Sequence, residues 1–226
     1  MIECRFKERC KKYKDSGCPE NFCLKLFKID SLCDNALLTQ PQRQHINLKL
    51  DADGSDREAF IELKNIESNI EDFVNKGKNL YIYSSICGNG KSSWSLRLLN
   101  SYIQHTWATA STDDCKGLFI NVPKFLISLK DNISQKSPYI EHIKANVLKA
   151  DLVIWDDIAT KGFTQFEMEN VLNIINNRIE EGKSNIYTSN MIGEELQNAI
   201  GNRLYSRIVN FSQVITFVGQ DKRGLQ

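Results

Sequence analysis

Leu80-Tyr81-Ile82-Tyr83-Ser84-Ser85-Ile86-Cys87-Gly88-Asn89-Gly90-Lys91-Ser92 passes from an apolar run into a glycine-rich turn, and a helix-compatible stretch from Ser93 through Ile103 follows. Strand, tight loop and helix is the order that aims a row of backbone N–H groups at an anion, because a helix start leaves its first amides unpaired. Gly88 and Gly90 let the backbone turn closely, Lys91 has the length to reach outer phosphate oxygens, and Ser92 offers a hydroxyl to Mg²⁺. The spacing is that of a Walker A loop with Ser85 in place of its first glycine, so Ser85 has to enter the turn with a φ open to a side chain. Cys87, Asn89 and Ser93 fill the remaining positions around the expected nucleotide.

Beyond Gly77, apolar runs alternate with amphipathic stretches, the pattern of a parallel sheet covered by helices. Strands are expected at Leu80 to Ser84, Leu118 to Val122, Leu152 to Trp155, Asn185 to Thr188 and Val214 to Val218, with a helix after each of the first four. The clearest helix carries Met168, Val171, Leu172, Ile175 and Ile179 on one face and ends before Gly182. Upstream, Ser55 and Glu58 have capping-box spacing, and one helix with an acidic outer face is expected to run to about Lys76.

The run Leu152-Val153-Ile154-Trp155 ends in Asp156-Asp157. Ligands of open parallel sheets bind at the carboxyl edge, which places Asp156 to hold Mg²⁺ and Asp157 to polarise an attacking water. Asn190, after the fourth strand, fits a polar contact to the outer phosphate or an ordinary turn. Arg203 and Arg207 stand four residues apart on one helix face. Either a solvated face or a cation reaching a neighbouring subunit's phosphates agrees with that spacing.

The chain has 226 residues, 29 Lys and Arg against 28 Asp and Glu, and 41% hydrophobic residues. That is enough apolar material for a real core, and the near-zero net charge argues against a protein that binds polyanions over its whole surface. No stretch approaches the roughly 20 apolar residues of a membrane span, and the start lacks a signal peptide's apolar core, so a cytoplasm with reduced thiols is expected. The division expected is a cysteine-rich domain over 1–45, a linker over 46–56 and an ATPase domain over 57–226. Cys4, Cys10, Cys18 and Cys23 are candidates for a zinc site that would fold a segment too small to hold its own core, with Cys33 as an alternative ligand. Scattered free thiols are the competing reading.

Together these residues resemble the AAA+ ATPases of the DnaC/DnaI helicase-loader family, with the IstB transposition helpers as close relatives. The resemblance covers Ala59 to Arg223 and adds the terminal Ser206-Arg207-Ile208 and Gly219-Gln220-Asp221-Lys222-Arg223. It implies an α/β AAA+ P-loop core, ATP and Mg²⁺ as cofactors, Asn190 as a phosphate sensor, Arg207 as an arginine finger acting in trans and Arg223 as a second phosphate-sensing arginine. It further implies a homo-oligomer with ATP that grips single-stranded DNA and opens a hexameric replicative helicase, with the N-terminal domain docking on that helicase. The short N-terminal region fits a compact phage or prophage version. An IstB-like helper of transposition and a non-hydrolysing ATP-switched adaptor remain alternatives.

Lys124, Lys130, Lys136, Lys144 and Lys149, with Phe125 and Tyr139, form a basic and aromatic region suited to a single strand or to a solvated helix face. Trp94, Leu98, Leu99, Ile103 and Trp107 recur at helical spacing and are expected in the core, with Trp155 in the central sheet.

Overall fold

The computed structural model describes residues 6, 10–16, 23–44, 46, 48, 54–132 and 135–222. A five-stranded, all-parallel sheet forms the centre, with β1 (Asn79–Tyr83), β2 (Gly117–Asn121), β3 (Leu152–Asp156), β4 (Ser184–Ser189) and β5 (Ser212–Thr216) in the spatial order 2-3-4-1-5. The expected strands are all present; β3 starts at Leu152 as expected, and the other four start one or two residues earlier than the apolar runs alone indicate.

Both faces of the sheet are covered, so successive residues of a strand enter two different cores. Leu80, Ile82, Leu152, Ile154, Ile186 and Ile215 face one. Tyr81, Leu118, Ile120, Val153, Trp155 and Tyr187 face the other. This explains strands that read as continuous apolar runs without polar alternation.

On the first face lie α2 (Leu24–Asn35), α3 (Arg57–Ser68), α4 (Ile70–Asn75) and α5 (Lys91–Thr106). The second carries α6 (Val122–Asp131), α7 (Pro138–Asn146), α8 (Gln165–Glu180), α9 (Gly193–Ile200) and α10 (Asn202–Val209). Trp94, Leu98, Leu99 and Ile103 are buried along α5 as their spacing predicts. A short helix, α1 (Lys11–Ser16), precedes them all. Among the described residues no helix is long and apolar enough to cross a membrane.

Two expectations about the segment before β1 are corrected. The single helix expected to reach Lys76 is two, broken at Asn69, and it starts at Arg57 with Asp56, not Ser55, in the N-cap position. Thr164 and Glu167 at the start of α8 form a capping box.

The boundary at residue 45 does not separate two cores. Ile29, Leu32, Cys33, Ala36 and Leu38 are buried in the same cluster as Leu98, Leu99 and Phe119, and Phe119 N–H donates to Ala36 O at 3.0 Å. A 12-residue helix cannot bury an apolar face alone, so it borrows the flank of α5 and β2. Asn35 pins the junction: its Nδ2 donates to Thr112 O and Asp114 O, while its own carbonyl meets the Cys115 thiol and His142 Nε2.

Cys33, the alternative zinc ligand, is 1% exposed inside this core.

At the amino edge of the sheet a buried polar network closes the structure. The Arg178 guanidinium is fully buried and donates to Asn185 Oδ1, Ala150 O, Ser184 O and Val147 O. Asn185 also receives Trp155 Nε1–H and donates to Asn79 Oδ1. Burial pulls the Arg178 pKa down to about 10, and the carbonyl ring keeps the cation in place. Its residues scatter over 100 positions of chain, so no local pattern announces it.

Candidate nucleotide site

The phosphate loop lies at the opposite, carboxyl edge, between β1 and α5. Ser85, Ile86 and Cys87 are exposed, Gly88 and Gly90 half-buried, and Asn89 buried. Gly88 and Gly90 have φ of 76° and 108°, the left-handed region that glycine enters without strain. Ser85 has no positive φ, so the loop needs no glycine there. Ser84 takes over part of the shaping: its Oγ accepts Ile86 N–H at 3.1 Å and the Asn89 side-chain amide.

Lys91 opens α5 and is 5% exposed. Its Nζ donates to Ile86 O at 3.0 Å and Ser84 O at 3.3 Å, so the ammonium is folded back on its own loop. A phosphate offers it charged oxygens in place of carbonyls, a stronger class of hydrogen bond.

Asp156, the last residue of β3, is buried beneath this loop. Desolvation pushes its pKa above the usual carboxylate range, and Asp157 adds to the rise. Hydrogen bonds from Ser92, Thr188 and Asn121 oppose it. Ser92 and Asp156 thus face one another and offer hard oxygen donors, the set that suits Mg²⁺. They are the residues that would hold the ion, whose charge would neutralise phosphate oxygens.

The next residue, Asp157, is half-buried with φ of 58°. Aspartate tolerates this region better than most, yet the position still carries strain, a recurrent mark of functional sites. One side chain fixes the turn. Thr188 Oγ1 donates to Asp156 Oδ1 at 2.8 Å and accepts Asp157 N–H at 2.9 Å, and Ser189 Oγ donates to Ile158 O at 2.8 Å. Asn190, just beyond, donates from Nδ2 to Cys87 Sγ at 3.5 Å, while its Oδ1 is buried without a hydrogen-bond partner among the described residues. Spacing places Asn190 near the phosphates. The role of Thr188 depends on pairing between β3 and β4, which no local motif encodes.

The structure therefore gathers Lys91, Ser92, Asp156, Asp157 and Asn190, with the loop residues Ser85 to Ser93, at one sheet edge. Arg203 and Arg207 are elsewhere. They line a cleft of about 740 Å³ between α8 and α10 with Glu169, Asn173 and Asn202, and no phosphate-loop residue borders it. Arg207 stacks on exposed Phe211, 5.3 Å from ring centre to guanidinium carbon.

Arg223, Cys4 and Cys18 lie outside the described residues. Cys10 and Cys23 are free, half-buried thiols, and no group of three or more metal-ligating side chains occurs among the described residues. In the basic region Phe125 is buried at 1% exposure, which withdraws it as a base stacker; Lys130 pairs with Glu167, and Lys124 lies over Tyr139.

Sheet order and phosphate loop together define the core as an AAA+ P-loop ATPase fold. Neither a protein-family model nor a curated protein matches the sequence. Among solved structures, the DnaC helicase loader matches with TM-score 0.59 and 17% identity, over 79% of this chain and 99% of that one. DnaI matches with TM-score 0.60 and 18% identity, over 82% and 94% of the two chains. The replication initiator DnaA, bound to AMPPCP and single-stranded DNA, matches with TM-score 0.57 and 16% identity, over 72% of this chain and 46% of that one. At such identities the likeness is one of fold.

Proposed function

We propose that this chain is an ATP-dependent loader that delivers or opens a hexameric replicative DNA helicase on single-stranded DNA. The observation that carries the reading is the divided site. Lys91, Ser92, Asp156 and Asn190 converge on one edge, while Arg203 and Arg207 lie in a separate open cleft. A cation useful to phosphoryl transfer but remote from its own phosphate loop serves a second copy, which makes turnover depend on assembly. The fold shared with DnaC and DnaI supports the loader role.

In this reading Lys91 and the loop amides bind ATP, Ser92 and Asp156 hold Mg²⁺, Asp157 orients the attacking water, Asn190 and Arg223 contact the outer phosphate, and Arg207 completes a neighbour's site. The N-terminal segment contacts the helicase, with Leu24 and Phe27 on the exposed side of α2 at 58% and 50% exposure as part of the surface. Zinc on Cys4, Cys10, Cys18 and Cys23 belongs to the same proposal, and elemental analysis of the purified protein tests it.

The deciding experiment measures ATP turnover with and without single-stranded DNA and a hexameric helicase. Turnover that rises with both, disappears in Lys91→Ala and falls in Arg207→Ala while ATP binding persists is the expected result. An Arg207→Ala variant with full turnover would remove that arginine from the reaction. Helicase-independent turnover on duplex DNA would favour a transposition helper instead.

A further inference from the structure

The two lateral edges of the sheet differ. On β2 the outward Phe119 N–H is closed by Ala36 O, and Leu118, Phe119 and Ile120 are buried. β5 has β1 on one side and, among the described residues, no strand on the other.

The ladder to β1 fixes which backbone groups of β5 are used. Phe217 N–H donates to Tyr83 O at 2.8 Å, so the N–H and C=O groups of Gln213, Ile215 and Phe217 turn toward β1 and those of Val214 and Thr216 turn outward. No hydrogen bond reaches those outward groups among the described residues. The next outward amide, Val218 N–H, donates to buried Asp56 Oδ1 at 2.7 Å, and Gly219 N–H donates to the same oxygen at 3.0 Å. Asp56 thereby closes the edge at its carboxyl end and leaves Val214 and Thr216 open.

An open edge is a template for a further strand, and proteins guard such edges with charges, proline or a covering segment. From Ile208 to Gln220 there is no charged residue and no proline, and Val214 and Val218 are 40% and 61% exposed. The edge is also its own complement. In an antiparallel pair centred on Ile215, Val214 of one chain lies opposite Thr216 of the other, and each such pair exchanges both its N–H and its C=O groups. A two-fold axis brings this segment against itself, so any charge in it would meet a like charge, and the neutral stretch has none. A strand from a different protein would not require that neutrality.

We propose that β5 is a self-association edge: it pairs antiparallel with β5 of a second copy of this chain, about a two-fold axis at Ile215, and joins two five-stranded sheets into one. The contact is independent of the nucleotide-site reading. It is isologous and needs no ATP, whereas an arginine supplied in trans needs a head-to-tail contact, and no β5 residue lines the arginine cleft.

Sedimentation velocity of the ligand-free full chain over a range of concentrations tests the proposal. A reversible monomer–dimer equilibrium is expected. Thr216→Pro removes an outward N–H that the β1 ladder does not use, and with it two hydrogen bonds across the axis, so dimerisation should weaken by about 30-fold. Val214→Lys and Thr216→Glu change exposed side chains. Each alone should be monomeric, and their equimolar mixture should dimerise, because the register sets position 214 against position 216.

A wild type that stays monomeric at every concentration overturns the proposal and leaves the edge to a strand from another protein. A dimer that survives Thr216→Pro or Val214→Lys overturns it too, as does a mixture of the two charged variants that stays monomeric. Should Thr216→Pro fail to fold, the charged pair carries the test.

Discussion

Thr188→Val is the sharpest probe of how the site is held. The side chains are nearly isosteric and Thr188 is fully buried, so the substitution removes two hydrogen bonds and little volume. The bond to Asp156 has a charged acceptor and contributes about 1.5–3 kcal/mol, and Asp157 N–H, left without its partner, costs a further ~1–3 kcal/mol. Allowing for relaxation, a loss of about 2–4 kcal/mol is expected, which for a chain of this size lowers Tm by roughly 5–15 °C.

A second consequence follows from charge. The Thr188 hydroxyl is one of the groups that hold down an already raised Asp156 pKa. Without it the carboxyl keeps its proton to higher pH, and Mg²⁺ must compete with that proton. The midpoint of Mg²⁺-dependent ATP binding against pH therefore moves upward. Thr188→Ser keeps the hydroxyl and should hold the wild-type midpoint, with only about 1 kcal/mol lost for the methyl group. Urea unfolding and binding of a fluorescent ATP analogue across pH measure both effects. A Val variant with wild-type stability and an unmoved midpoint refutes the idea that Thr188 organises the turn.

Asp156→Asn separates folding from metal binding. A carboxyl with a raised folded pKa adds most stability when protonated, at low pH, and that contribution is lost as pH rises through the folded value. The amide never ionises, so at neutral pH the ligand-free variant should unfold at the wild-type temperature or above it, while stabilisation by Mg²⁺ with ATP disappears; a lower ligand-free Tm counts against this account. Leu32→Ala, 1% exposed at the seam between α2 and the core, should destabilise the ATPase fold itself by about 2–5 kcal/mol in one cooperative transition, whereas a separate early transition would show an independent N-terminal unit. Arg178→Met strands four buried acceptors and should cost roughly 3–5 kcal/mol by urea unfolding, and a loss under about 1 kcal/mol would show that the network is dispensable.

The parts of the site legible in the sequence are those whose chemistry sits within a few residues. Gly88-Asn89-Gly90-Lys91-Ser92 specifies its own turn, and β3 announces itself by an apolar run ending in two aspartates. Thr188, Asp56 and Arg178 act on partners 31, 163 and 28 residues away, so no window of sequence contains both halves of their interactions. The composition of the cysteine-rich start reads as a separate unit, and that reading contains no sign that Ile29, Leu32 and Cys33 share a buried cluster with α5 and β2.

By itself, then, the sequence determined the alternation of strands and helices and the phosphate loop, because hydrophobic period and glycine placement act locally. Tertiary structure alone decided which strands are neighbours, and with that the Thr188 bridge between Asp156 and Asp157. It also decided that α2 shares the core on the sheet's first face and that Arg203 and Arg207 stand apart from the phosphate loop of their own chain. Each of these depends on side chains distant in sequence meeting across the sheet, where burial and hydrogen-bond satisfaction select the partners.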